Sequence, residues 1–225
     1  KGSPLSESEF EQVKNQLTFA SFYKAGRWLV GENGKAHVQV QRGNDVLQLL
    51  VFNRAHVNGG SSVYQVIHQY QSFRSDDKDE KDRRFDVTLL INGLPLIHIE
   101  LKKKDVPYRE AFNQILSYAK EGKFTGLFSC VQMFVVSNVT ETKYLAAARF
   151  DEMNFKFLSG WVDEKNQPVA NLFDFAKSVL KIPAAHEMIS QYSVLDQDKQ
   201  RIILLRPYQI HAIEAVRSAS RIGKS

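Results

Sequence analysis

The chain has 225 residues, 43% hydrophobic and 24% charged, with a formal net charge of +5. These figures fit one large globular domain, or one domain with part of a second, and exclude a disordered or fibrous class. The positive balance favours a polyanionic partner. No apolar run approaches a membrane span, and no signal-peptide pattern opens the chain. The single cysteine, Cys130, cannot form an internal disulfide, so a reducing cytoplasm is the expected setting. Its neighbours Phe128, Val131, Met133 and Phe134 make it a buried small hydrophobe rather than a nucleophile. The two ends, Lys1-Gly2-Ser3 and Ile222-Gly223-Lys224-Ser225, read as cuts through a longer chain.

Ser6-Glu7-Ser8-Glu9 predicts a helix entry, and Phe10, Val13 and Leu17 follow at helical spacing. Residues 36–52 read as two strands around the turn Arg42-Gly43-Asn44-Asp45, and Val63 to Tyr70 alternates as a third. From Arg74 to Arg84 every residue except Ser75 is charged, which predicts a solvated loop or a DNA-facing lip. Residues 85–91 and 94–101 are strand-like runs separated by Asn92-Gly93, a strong hairpin signal. Asp105-Val106-Pro107 predicts the start of a helix that runs to about Lys120 and is closed by Gly122. Gln132 to Ser137 reads as a buried central strand. Residues 171–180, 184–192 and 207–220 read as helices and 201–205 as a strand. The order predicts an α/β fold, a mixed sheet flanked by helices.

Two carboxylates and a lysine on this hairpin point to chemistry. Cleaving a phosphodiester calls for a metal that activates water and neutralises charge on phosphate. Mg²⁺ takes oxygen ligands, often one or two carboxylates. Asp86 and Glu100 sit on opposite arms of the predicted hairpin, so residues distant in sequence meet in space. Glu100 and Lys102 share a strand face, and the Leu101 carbonyl between them is a further candidate ligand. The Lys102 ammonium could orient water, stabilise charge on phosphate, or act as a base; spacing does not choose among these. Glu-x-Lys alone is commonplace on solvated strand ends. Here it follows Pro95-Leu96-Ile97-His98-Ile99, a run expected to be buried, where charges are rarely placed without a role. His98 shares Glu100's face and reads as a supporting or core histidine rather than a ligand.

The run Arg84-Phe85-Asp86-Val87-Thr88-Leu89-Leu90-Ile91-Asn92-Gly93-Leu94-Pro95-Leu96, continued by Ile99-Glu100-Leu101-Lys102, resembles the nuclease domain of the restriction (R, HsdR) subunit of type I restriction-modification enzymes. Arg109-Glu110-Ala111-Phe112-Asn113-Gln114-Ile115 with Tyr118, Phe134-Val135-Val136-Ser137-Asn138 and Leu205-Arg206-Pro207-Tyr208-Gln209-Ile210 are similar too. The resemblance runs from about Leu5 to the end. It implies a restriction-endonuclease-like fold of the PD-(D/E)xK type, with Asp86 and Glu100 binding Mg²⁺ and Lys102 as the catalytic lysine. Gln114 and Tyr118 match a Q-x-x-x-Y element of related nucleases; four apart, they share a helix face and are candidate DNA contacts. Without the resemblance they would read as the polar side of an amphipathic helix. Phe85 stands where the motif's name has proline, and no acid from the first helix is assigned among Glu7, Glu9 and Glu11, for which a solvated face is the plainer reading.

The same resemblance divides the chain into an endonuclease domain over residues 1–190 and a connector with the start of a superfamily 2 motor over residues 191–225. Gly223-Lys224-Ser225 is not a phosphate-binding loop, because Ser218 occupies the position where that motif needs glycine. ATP would therefore be used only by motor domains beyond this chain. The implied partners are double-stranded DNA and the methyltransferase (M) and specificity (S) subunits, with cleavage that does not itself read sequence. The alternatives are a non-catalytic scaffold docking the motor to the methyltransferase, or another helicase-linked nuclease of the same type.

Overall fold

A computed structural model of the chain describes residues 4–57, 61–72 and 83–222. The charged run between residues 73 and 82 and the terminal Gly223-Lys224-Ser225 lie outside the described residues. Helices α1 (Glu7–Gln16) and α2 (Phe22–Val30) lead into the hairpin β1 (Lys35–Arg42) and β2 (Asp45–Asn53). Then come β3 (Tyr64–Ser72), β4 (Arg83–Ile91), β5 (Leu94–Leu101), α3 (Arg109–Lys120), β6 (Met133–Ser137) and β7 (Thr142–Ala146). These five strands form one sheet in the order β3-β4-β5-β6-β7, with β5 and β6 parallel and the other pairs antiparallel. The short pair β8 (Trp161–Val162) and β9 (Pro168–Val169) precedes α4 (Leu172–Phe175), α5 (Ala184–Ser190), the hairpin β10 (Ser193–Asp196) and β11 (Arg201–Leu204), and α6 (Pro207–Ile222). This is the mixed sheet with flanking helices that the sequence predicts, consistent with a restriction-endonuclease-like fold. No helix among the described residues is long and apolar enough to cross a membrane.

Both faces of the sheet are covered, which is why β6 reads as a continuous apolar run. Its Met133 and Val135 join one core with Ile97, Ile99 and Tyr144, while Phe134 and Val136 join a second with Phe85, Phe112, Ile115 and Tyr118. The second core lies beneath α3, which crosses from β5 to β6 and packs on both. The pair β10–β11 is part of the same body: Leu204 belongs to the first core, Ile202 to the second, and the Tyr144 hydroxyl donates to the Leu205 carbonyl at 3.0 Å.

Local chemistry explains where the elements start and stop. Asn92 and Gly93 both take positive φ (52° and 80°), the conformation a two-residue hairpin turn requires. Asn92 also knits strands together, its Oδ1 accepting from Val63 N–H at 2.7 Å and its Nδ2 donating to the Val51 carbonyl at 2.8 Å. α3 begins at Arg109, later than predicted, because residues 103–106 close a turn of their own. There Val106 N–H bonds the Lys103 carbonyl at 2.9 Å, and the Val106 carbonyl accepts from Asn138. Its end is the predicted one. Gly122 takes φ 68°, and the N–H groups of Gly122 and Lys123 return to the Ala119 and Tyr118 carbonyls.

The first helix corrects one expectation. Glu7 and Glu11 are exposed, but Glu9 is buried: it forms a reciprocal cap with Ser6 and a bidentate pair with Arg42 at 2.6 and 2.9 Å. Arg42 and the Ser6 backbone hold its carboxyl down at about 2. Of the predicted apolar stripe, Leu17 is buried, yet Phe10 is 51% exposed with the Lys14 ammonium 5.4 Å from its ring.

A buried histidine ties α5 to two strands. The His186 ring stacks on Phe52 at 4.8 Å, its Nε2 meets the Asn53 carbonyl at 3.1 Å, and its Nδ1 meets the Tyr64 hydroxyl at 3.0 Å. Burial lowers its pKa from 6.5 to about 4. The folded state thus resists protonation, and the stabilisation is complete above pH 6.5 and lost as pH falls through 4. That interval corresponds to at most roughly 3 kcal/mol. Urea denaturation of the native chain and His186→Phe, repeated at steps across this interval, should show their stability gap narrowing on acidification; a constant gap would refute this role.

Candidate active site

The β4–β5 hairpin brings Asp86 and Glu100 together. Thr88 pairs with His98 and Val87 with Ile99, so one further step of the same register sets Asp86 opposite Glu100. A bulge nearer the turn, where Leu89 pairs with Ile97 but Leu90 with Pro95, gives β5 one extra residue. It sets the parity by which Ile97 and Ile99 face one core while His98 lies among Phe85, Phe124 and Phe134 of the other. On the other side of β4 the ladder with β3 is interrupted opposite Asp86, at Gln69, whose φ is 56°. Asp86 Oδ2 accepts from the Leu101 N–H at 2.9 Å, which pins its carboxylate beside the backbone that follows Glu100.

Glu100 is 0% exposed. Burial pushes its carboxyl up to about 9, and the charge and hydrogen bond of neighbouring Asp86 add to the effect, with Lys102 opposing it. Glu100 therefore favours its protonated form at neutral pH unless positive charge stands beside it. Two ionised carboxylates in contact in a water-poor setting require a positive counter-charge.

Gln114, on α3, connects the polar groups. Its Nε2 donates to Glu100 Oε1 and to the Tyr118 hydroxyl, and its Oε1 accepts from Lys102 Nζ. Tyr118 in turn donates to the Arg84 carbonyl on β4 at 3.1 Å. Arg83 pairs with Glu121 at the end of α3, and its guanidinium lies 5.7 Å from the Tyr118 ring. Burial and the nearby Glu100 push the Tyr118 phenol up to about 12, so it remains a donor. The side chains predicted as DNA contacts thus have their polar atoms turned to the site's own residues, and Tyr118 is buried. His98 is buried behind Glu100, with Nε2 3.1 Å from Glu100 Oε2 and Nδ1 3.2 Å from the Thr88 hydroxyl. Burial holds its pKa near 3, so the ring is neutral.

The structure therefore gathers all five side chains singled out in the sequence: Asp86, Glu100, Lys102, Gln114 and Tyr118. Sequence reasoning missed Thr88, Arg83 with Glu121, and the Arg84 carbonyl. Strand parity could have pointed to Thr88 opposite His98; nothing local announces the others. Among the described residues, no group of three or more His, Cys, Asp or Glu side chains is arranged to hold a metal. The donors the sequence proposes, the two carboxylates and the Leu101 carbonyl, are all hard oxygens. Their number and type fit Mg²⁺, which keeps several waters. Glu9 is committed to Ser6 and Arg42, and α1 packs on β1.

With this geometry in view, comparisons with known proteins identify the lineage. Residues 7–152 match the family described as type I restriction enzyme R protein N terminus. The chain belongs to that family. It is similar to the type I restriction enzyme SauMSSORF170P endonuclease subunit of Staphylococcus aureus (strain MSSA476), 30% identical over 226 residues, covering 100% of this chain and 23% of that protein. It is also similar to the type I restriction enzyme EcoprrI endonuclease subunit of Escherichia coli, 42% identical over 136 residues, covering 59% of this chain and 43% of that protein. The chain thus spans less than half the length of either relative.

The wiring of Gln114 has a measurable consequence. Gln114→Ala removes partners from a buried carboxylate and a buried phenol, and should lower stability to urea by about 1–3 kcal/mol. Asn113→Ala, on the exposed side of the same helix, should change it by no more than about 0.5 kcal/mol. Equal effects would show that Gln114 is not the link.

Proposed function

We propose that this chain is the DNA-cutting module of a type I restriction enzyme, hydrolysing phosphodiester bonds of double-stranded DNA with Mg²⁺ held by Asp86, Glu100 and the Leu101 carbonyl. The observation that carries this reading is the carboxylate pair: Glu100 at 0% exposure, raised to about 9 by burial and by the charge of half-buried Asp86, beside Lys102. Such a pair opposes folding unless a bound cation uses it, and strongly perturbed acids of this kind concentrate at functional sites. A docking scaffold has no need of it.

Bound there, Mg²⁺ supplies Lewis acidity toward phosphate oxygen and activation of water. The chain's residues supply position. Leu101 N–H keeps Asp86 aimed, and Gln114 holds Glu100 and Lys102 at a fixed separation. The Lys102 ammonium, beside the carboxylates, would stabilise negative charge on the phosphate, a role a preorganised cation performs well. Lys103 and Lys104, exposed just beyond it, suit contact with the backbone of an entering duplex. Gln114 and Tyr118 act in this scheme by holding the site rather than by gripping DNA.

The family and the greater length of the relatives support a wider reading. In the whole enzyme, working in the cytoplasm with methyltransferase and specificity subunits, ATP-driven motor domains would move the DNA. This module would then cut without reading sequence. Asp86→Ala and Lys102→Ala in the complete complex, supplied with circular DNA, Mg²⁺ and ATP, should each reduce cleavage by at least about 100-fold while translocation continues. Cleavage at the native rate with normal translocation would place the cutting site elsewhere.

A further inference from the structure

The proposed mechanism leaves His98 without a task. Its side chain is 0% exposed and enclosed by Phe85, Phe124 and Phe134, with ring centroids at 4.8, 5.6 and 6.2 Å. An apolar side chain would fill that space without the cost of desolvating two ring nitrogens. Both nitrogens are occupied, one by Glu100 Oε2 at 3.1 Å and the other by the Thr88 hydroxyl at 3.2 Å. Thr88 is the cross-strand partner of His98, and Asp86 falls opposite Glu100 at the next position of the same face. Two successive cross-strand pairs are therefore linked into one chain, Thr88 to His98 to Glu100 to Asp86.

We infer that His98, anchored by Thr88, is a positioning residue that fixes the rotation of the Glu100 carboxylate and so sets the affinity of the Asp86–Glu100 pair for a divalent cation. This rests on the proposed metal site and deepens it. Gln114 holds one Glu100 oxygen and His98 the other, and this two-point hold restrains rotation of the carboxylate plane. When Glu100 is ionised, a proton on Nε2 donates to it, and Nδ1 is then left to accept from the Thr88 hydroxyl. Hydrogen bonds to ligand carboxylates of this kind typically govern metal affinity by about 10–100-fold.

The test is a Mn²⁺ titration of the full chain, followed by the electron paramagnetic resonance of free Mn²⁺, with folding checked by urea denaturation. His98→Phe, which keeps the ring packing and removes both hydrogen bonds, should weaken Mn²⁺ binding by about 10–100-fold. His98→Gln, whose amide can still reach Glu100, should recover most of that loss, a rescue that packing alone would not produce. Glu100→Gln should remove binding altogether. Native affinity in His98→Phe, alongside loss in Glu100→Gln, overturns the inference and leaves the metal site standing. Native affinity in both Glu100→Gln and Asp86→Asn overturns the site and the inference together. Should His98→Phe fail to fold, the near-isosteric Thr88→Val reads the same chain: weaker binding supports it, and unchanged binding refutes it.

Discussion

The contact between Asp86 and Glu100 sets the terms for the rest of this molecule. Two acids on adjacent strands are brought together, Glu100 buried and Asp86 half-buried, and burial with the charge of Asp86 raises Glu100 to about 9. That arrangement costs folding free energy, so surrounding structure must hold it in place. A two-residue turn at Asn92-Gly93, a bulge that supplies the extra residue on β5, and an interruption of the ladder at Gln69 together decide which side chains meet. Bulges and irregular rungs beside functional sites commonly re-aim a side chain in this way.

The support comes mainly from elements outside the hairpin. α3 delivers Gln114, whose single amide satisfies Glu100, Lys102 and Tyr118 at once. The orientation of α3 is fixed at its far end by the Gly122 cap and by the Arg83–Glu121 pair. The aromatic cluster beneath the helix keeps water from the back of the site, leaving His98 neutral against Glu100. Because these groups form one hydrogen-bonded unit, substitutions within it are expected to be non-additive. The hub at His186 acts at a distance from this unit: it secures α5 and the β1–β2 hairpin and belongs to stability rather than chemistry.

Much of this was legible in the chain because the signals were local. Asn92-Gly93 between apolar runs placed β4 and β5, the compact run Gln132 to Ser137 placed β6, and Gly122 placed the end of α3. The relation of Asp86, Glu100 and Lys102 followed from strand parity once the hairpin was recognised. What escaped depended on distant partners. α2 and β7 went unread: β7 is an edge strand whose polar Thr142 and Lys143 dilute the alternation. Glu9 resembled its solvated neighbours until Arg42, 33 positions away, supplied the pair that buries it. Phe10 kept helical spacing with Leu17, yet its ring is left exposed. Gln114 and Tyr118 were marked by the resemblance to a Q-x-x-x-Y element, not by spacing alone, and their inward orientation depends on how α3 lies across β5 and β6.

The central claim is that the acid pair exists to hold a divalent cation. A crystal of the full chain soaked in Mn²⁺, measured at a wavelength where manganese scatters anomalously, addresses it directly. The account predicts an anomalous peak between the carboxylates of Asp86 and Glu100, with the Leu101 carbonyl among its neighbours, that disappears in Asp86→Asn. A well-ordered pair with no peak, or manganese bound only at another acidic site, would contradict it.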